Sequence, residues 1–271
     1  MATVARTEAA VDVALWDLKA RLLDLSLVDV LPRVHESVPV YGSGGFTSYS
    51  LRRLREQLSG WTDEGIPRVK IKVGRDPDAD PKRLDAAREA IGDDTELFVD
   101  ANGAFERKQA LAWAERYAVE WGVTWFEEPV SSDDLEGLRL LREHSPAGLE
   151  IAAGEYGYVL ADFRNLLGAV DCLQADVTRC GGITGLLQVA GLAQAHDLPL
   201  SGHCAPAISA HALCAAGTLR HLEWFHDHVR IERLLFDGFP EPEGGAVRPD
   251  RSRPGHGLEF KHADAERYAV S

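Results

Sequence analysis

The feature that most constrains the fold of this chain is a rhythm. Short apolar runs, each able to form a buried strand, recur along the sequence, and each is followed by a segment with helical spacing. The runs are PVYGSG near Tyr41, VKIKVG near Ile71, ELFVDAN near Phe98, VTWFEEP near Phe126, LEIAAGE near Ile151, DCLQAD near Leu173, LPLSGH near Leu200 and RHLEWF near Glu223. Between them, DADPKRLDAAREAIG sets Leu84, Ala87 and Ile91 on one face, and FERKQALAWAERYAVEWG does the same with Ala110, Leu111, Ala114 and Tyr117. Strand then helix, eight times, at a period of roughly 25 to 30 residues predicts an α/β fold, a TIM-type (β/α)₈ barrel. A doubly wound open sheet is the competing architecture. It needs a Gly-rich first turn, and YGSGGF at 41–46 is a lone glycine cluster. A chain of 271 residues with 45% hydrophobic content is long enough to bury one large core.

The two ends fall outside the rhythm. EAAVDVALWDLKARLLD at 8–24 predicts an amphipathic helix ahead of the first strand, and the stretch after about residue 236 is turn-rich and reads as an extended tail. The expected organisation is therefore an N-terminal piece at 1–36, a barrel at 37–236 and a tail at 237–271 that packs back toward the N-terminal piece.

A formal net charge of −14 argues against nucleic acid or an anionic membrane as the partner. A small acidic substrate stays compatible, because lysines or a cation can invert the field inside a cleft. Cys172, Cys180, Cys204 and Cys214 form no C-x-x-C pair, which fits reduced, buried thiols in a cytoplasmic protein. No apolar run reaches the ~18 residues of a membrane span.

In a barrel of this kind the chemistry sits at the C-terminal ends of the strands. Those ends carry Lys70 and Lys72, Asp100 and Asn102, Glu127 and Glu128, then Glu155, Asp176, His203 and Glu223. Any one carboxylate there would be an ordinary loop cap. Asp100, Glu127 and Glu155 at successive ends could instead present oxygens to one hard cation such as Mg²⁺. Asp176 beside His203 would fix the imidazole tautomer and make a general acid or base.

The lysines carry the strongest constraint, since the chain has only six. In VKIKVG the period of two turns Val69, Ile71 and Val73 one way and Lys70 and Lys72 the other. A buried ammonium costs several kcal/mol unless it is paired. Side by side, the two charges disfavour the second proton, so one amine is expected to lose its charge near neutral pH. A Schiff-base lysine is a further possibility that the carboxylate trio argues against.

These residues resemble the motifs of the enolase superfamily, and within it the mandelate racemase group. The matching pieces are KIK at 70–72, VDAN at 99–102, WFEEP at 125–129, AGE at 153–155, DVTRCGG at 176–182, SGH at 201–203 and HLEW at 221–224. That superfamily pairs a Lys or His base with Mg²⁺. The resemblance implies Mg²⁺ held by Asp100, Glu127 and Glu155, with Lys72 as a base whose pKa Lys70 lowers. His203 with Asp176 would act on the opposite face of the substrate. Glu223 would be a hydrogen-bonding acid toward the enediolate, and Asn102 a substrate contact.

The implied chemistry is abstraction of the proton α to a carboxylate, leading to dehydration of a sugar acid. Racemisation or epimerisation of a 2-hydroxyacid is the alternative. Members of the family carry an α+β cap before the barrel, of which the helix at 8–24 is a remnant, and they associate as homo-oligomers. A barrel without its cap that binds metal but turns nothing over is a third reading.

Overall fold

The computed structural model describes residues 2–269. Eight parallel strands close on themselves: β1 (Val38–Gly44), β2 (Arg68–Lys72), β3 (Glu96–Asp100), β4 (Val123–Glu127), β5 (Glu150–Ala153), β6 (Cys172–Ala175), β7 (Leu200–Gly202) and β8 (Leu219–Phe225). Each pairs with the next, and β8 returns to β1 with Glu223 opposite Tyr41, so the open-sheet alternative is set aside. All eight strands lie on the apolar runs read from the sequence.

Two helices precede the barrel, α1 (Ala2–Leu22) and α2 (Leu27–Val30). Around it run α3 (Leu51–Asp63), α4 (Asp80–Ile91), α5 (Arg107–Trp121), α6 (Leu135–His144), α7 (Leu160–Leu166), α8 (Gly182–Ala195), α9 (Pro206–Leu213) and α10 (His226–Leu235). The caps follow the local chemistry. Ser50 accepts a hydrogen bond from the Arg53 amide at the start of α3, and Asp134 accepts one from Gly137 at the start of α6. Gly122 closes α5 in the left-handed conformation.

The period-two reading of β2 holds. Val69, Ile71 and Val73 are buried in the layer between strands and helices, while Lys70 is fully buried on the barrel axis. Beneath it lies an aromatic floor of Tyr41, Phe98 and Trp125, with the last two rings stacked at 5.4 Å. The four cysteines are free and buried, as expected of reduced thiols.

The helix ahead of the barrel starts earlier than the sequence pattern indicated, at Ala2, and ends before Asp24, whose φ of 54° is left-handed. It packs through Ala5, Ala9 and Ala20 and is tied to α8, where Trp16 Nε1 donates to Thr184 Oγ1 at 2.9 Å. Its other side is also apolar: Val4, Leu15 and Leu22 are 60%, 60% and 78% exposed. After α10 come β9 (Phe236–Asp237), β10 (Pro242–Glu243), β11 (Ala246–Val247) and β12 (Glu259–Phe260). β11 pairs antiparallel with β1, and Arg21 of α1 reaches Glu259 at 2.8 Å. The expected extended tail also contains a short helix, α11 (His262–Ala265). Among the described residues no helix is long and apolar enough to cross a membrane.

His211 joins the N-terminal segment to the barrel. Its Nδ1 accepts the backbone N–H of Val28 at 3.1 Å. Burial, then the neighbouring His256 ring, pushes the imidazole down to about 4, against a hydrogen bond with the His256 backbone and the charges of Asp17 and Asp250. Because the folded pKa lies below the unfolded one, this stability is complete above about pH 6.5 and is lost as pH falls toward 4. Denaturant unfolding should show about 2 kcal/mol less stability at pH 5 than at pH 7 from this group. The His211→Gln variant should show a correspondingly flatter pH dependence, and an unchanged slope would refute the assignment.

Candidate active site

The C-terminal ends of the strands bring nearly all the expected polar residues into one buried cluster. Lys70, Asp100, Glu127, Glu128, Glu155, Asp176, His203 and Glu223 are buried, and Lys72 is half-buried. Register accounts for part of this. Lys72 lies opposite Asp100, and Asp100 opposite Glu127, so three adjacent strands deliver charge at one level. Glu155 needs a special backbone. Gly154 has φ 136°, and a Cβ there would lie 2.2 Å from the Gln174 carbonyl oxygen of the next strand. Only glycine lets β5 end this close to β6 and turn Glu155 into the mouth.

Lys70 Nζ lies 2.6 Å from each oxygen of Glu127, 2.9 Å from Glu223 Oε1 and 3.5 Å from Asp100 Oδ2. Lys72 pairs with Asp100. On the other side of the mouth His203 Nδ1 meets Asp176 Oδ2 at 2.8 Å. Its Nε2 is 3.0 Å from Glu155 Oε2 and 3.4 Å from Glu223 Oε2. Asn102 is exposed, and its backbone N–H donates to Asp100 Oδ1 at 2.8 Å. With Phe46, Lys72 and Arg75 it lines a cleft of about 460 Å³ beside the cluster.

The charges follow from burial and pairing. Burial works against the ammonium of Lys70, but Glu127 and then Glu223 outweigh it and raise its pKa. Lys72 is also raised: burial opposes its charge, and Asp100 overcomes both that and the repulsion from Lys70. The expectation that one amine would be neutral is therefore corrected for this state. The like-charge effect is present, yet the carboxylate in contact is stronger.

Burial likewise opposes charge on His203, but Cys204, Glu223 and the Asp176 hydrogen bond push its pKa well above the usual range. Burial and then Asp100 lift Glu127 to about 8, and burial and then Glu155 lift Glu128 to about 9. Glu155 is raised by burial but held at about 2 by His203. Glu223 is raised by burial but held well below its usual value by Lys70. Its carboxylate accepts from Ser43 Oγ at 2.6 Å and from the Cys204 amide at 3.2 Å. The acid role inferred for Glu223 thus requires a proton that the resting network does not leave on it.

The donor set fits a hard divalent cation. Asp100, Glu127 and Glu155 each offer an oxygen within 4.8 Å of the others'. Six carboxyl groups (Asp100, Glu127, Glu128, Glu155, Asp176, Glu223) face four cationic side chains (Lys70, Lys72, Arg179, His203). Burial, with this excess of negative charge, raises Glu127 and Glu128 above the usual carboxylate range. Glu128 Oε1 is buried without a hydrogen-bond partner.

Three contributors went unassigned at the sequence level. Arg179 reaches Asp176 at 3.2 Å and Glu155 at 3.4 Å. It was visible inside DVTRCGG, three residues after Asp176. Ser43 stood in the glycine cluster YGSGGF. Cys204 follows His203 with a left-handed φ of 52°, and nothing in the sequence marked that turn.

Comparison with known proteins follows the same lines. The family described as "Enolase C-terminal domain-like" matches residues 53–265, and "Mandelate racemase / muconate lactonizing enzyme, N-terminal domain" matches 1–32. A 3,6-anhydro-alpha-L-galactonate cycloisomerase of Streptomyces coelicolor is 33% identical over 97% of this chain and 72% of its own length. A mandelate racemase/muconate lactonizing enzyme-like protein from Rubrobacter xylanophilus is 65% identical with a TM-score of 0.97, over 98% of this chain and 74% of that one. An L-talarate dehydratase from Polaromonas sp. JS666, complexed with Mg and L-glucarate, is 33% identical with a TM-score of 0.85, over 97% and 72%. Two other curated relatives are spanned to only 58% and 52% of their length.

Removing the Lys70 charge tests the cluster as a structural unit. Lys70→Met leaves three buried carboxylates without their shared cation and should destabilise the metal-free protein by about 3–5 kcal/mol in denaturant unfolding. A loss below about 1 kcal/mol would show that the carboxylates are not held by this amine.

Proposed function

The chain belongs to the enolase superfamily, in its mandelate racemase/muconate lactonizing enzyme branch, and from that premise we propose that it is an acid-sugar dehydratase. It would remove the proton α to the carboxylate and expel the β-hydroxyl, giving a 2-keto-3-deoxy acid. The observation that carries this reading is the joined network itself. Two ammonium groups and an aspartate-bound imidazole surround three carboxylates with converging oxygens. The relatives include dehydratases and cycloisomerases that act on acid sugars.

Asp100, Glu127 and Glu155 would hold Mg²⁺. When bound, that ion supplies positive charge against the substrate carboxylate and takes up the Asp100 charge that otherwise keeps Lys72 protonated. Lys72 Nζ, half-exposed toward the cleft, takes the α-proton. Lys70 stays charged and donates to the developing enediolate, oriented by Glu223 and Ser43. His203 as an imidazolium delivers the Nε2 proton to the departing hydroxyl, with Asp176 holding Nδ1–H. Asn102, at the cleft, contacts the substrate's hydroxyls.

The same two groups on opposite faces would racemise a 2-hydroxyacid, a reading that the racemase structure from Streptomyces coelicolor keeps open. A barrel that binds metal without turnover is the third reading.

Incubation with Mg²⁺ in D₂O and a panel of sugar acids, followed by NMR, separates the three. A dehydratase forms the keto-deoxy acid with solvent deuterium at C3, and return of the enediolate to substrate puts deuterium at the α-carbon of the recovered acid. Lys72→Ala should then lower both by about 10²–10⁴-fold. His203→Asn should keep α-exchange but lose elimination by a similar factor. Loss of exchange from only one enantiomer in His203→Asn would select racemisation. A folded, Mg²⁺-binding chain that exchanges no acid would select the inactive barrel.

A further inference from the structure

The mouth of the barrel has two chemically different sides. The Asp100 side offers only oxygen. The His203 side offers nitrogen, sulfur and oxygen together, and we propose that it is a second metal site, built for a borderline-soft divalent ion such as Zn²⁺.

The donors are His203 Nε2, Cys204 Sγ, Glu223 Oε2 and Glu155 Oε2. Nε2 to Sγ is 3.5 Å, Nε2 to Glu223 Oε2 is 3.4 Å and Sγ to Glu223 Oε2 is 3.3 Å. A tetrahedral zinc with ordinary Zn–N, Zn–S and Zn–O bonds has donor–donor edges of about 3.3–3.6 Å. Three of the four donors therefore already sit at the spacing of a closed site. The fourth, Glu155 Oε2, lies 3.0 Å from Nε2. It belongs to a side chain only 4% exposed, and its present partner is the imidazole that the metal would take over.

Two further features are compatible with a metal at this place. His203 meets Asp176 through Nδ1, the carboxylate–histidine arrangement that orients a metal-bound imidazole. Asp176 is in turn fixed by Thr178 Oγ1 at 2.6 Å and by Arg179. Cys204 and Ala205 both have left-handed backbones, φ 52° and 43°. That left-handed turn before α9 sets Sγ against His203 and Glu223. On binding, Nε2 and Sγ give up their protons to solvent as the metal–nitrogen and metal–sulfur bonds form. If the dehydratase reading holds, the ion occupies the nitrogen that delivers a proton to the leaving hydroxyl, so it inhibits.

The test is a Co²⁺ titration of the metal-free protein. A stoichiometric ion with a near-ultraviolet thiolate-to-cobalt absorption band is expected, absent in Cys204→Ser and retained in Cys214→Ser. X-ray absorption of the Zn²⁺-loaded wild-type protein supplies a measurement that needs no variant. It should show one sulfur at about 2.3 Å among nitrogen and oxygen neighbours at about 2.0 Å. No thiolate band, a band that survives Cys204→Ser, or a zinc shell of oxygen and nitrogen alone would overturn the proposal. Neither readout requires turnover. Turnover is measured on a separate Mg²⁺-loaded, cobalt-free sample: an intact cobalt band with no keto-deoxy acid formed there would remove the dehydratase reading only, and product without the band would remove the zinc site only.

Discussion

The ion pairing of Lys70 is the interaction on which the rest of this structure depends. Its ammonium lies on the barrel axis with no exposure to solvent, within 3.5 Å of carboxylates from three other strands. Neither side could be buried alone, because an uncompensated charge in the interior costs several kcal/mol. The aromatic floor fills the barrel below, and the Tyr41 ring lies 5.1 Å from Nζ. Above this level the barrel is held by charge and opens into the cleft.

That network explains why the lysine pair is not simply a pair of repelling charges. Each amine is matched to its own carboxylate, Lys70 to Glu127 and Lys72 to Asp100. What the arrangement leaves unbalanced is negative charge, which adds to burial in raising Glu127 and Glu128 above the usual carboxylate range. A site tuned in this way responds strongly to any cation that enters it. In the two-metal proposal, the oxygen donors of Asp100 and Glu127 and the nitrogen and sulfur donors of His203 and Cys204 come from different strands and share Glu155.

Much of the site was legible in the sequence for a physical reason. A parallel barrel strand ends at the same mouth as its neighbours, so a list of polar residues at strand ends is already a list of near neighbours. Lys70, Asp100, Glu127, Glu155, Asp176, His203 and Glu223 were brought together in this way. Asn102 was found at its strand end, but it is exposed beside the cleft and reaches the cluster through its backbone. Arg179, Ser43 and Cys204 were not assigned, since each enters from a turn or from the far side of the ring. Ser43 meets Glu223 across 180 residues of chain, a contact that exists only because β8 closes on β1.

The sequence by itself determined the eight-fold alternation, the side of each strand that faces the axis, and the residue types at the mouth. Periodicity is a local property, and the backbone converts it directly into facing. Only the tertiary structure decided which charge neutralises which. Protonation at Lys72, Glu127 and Glu155 depends on burial and on oxygens a few ångströms away, delivered by other strands. It also decided the direction of the Cys204 side chain, because the left-handed turn that aims it into the mouth is imposed by the junction of β7 with α9 and has no signature in the residues themselves.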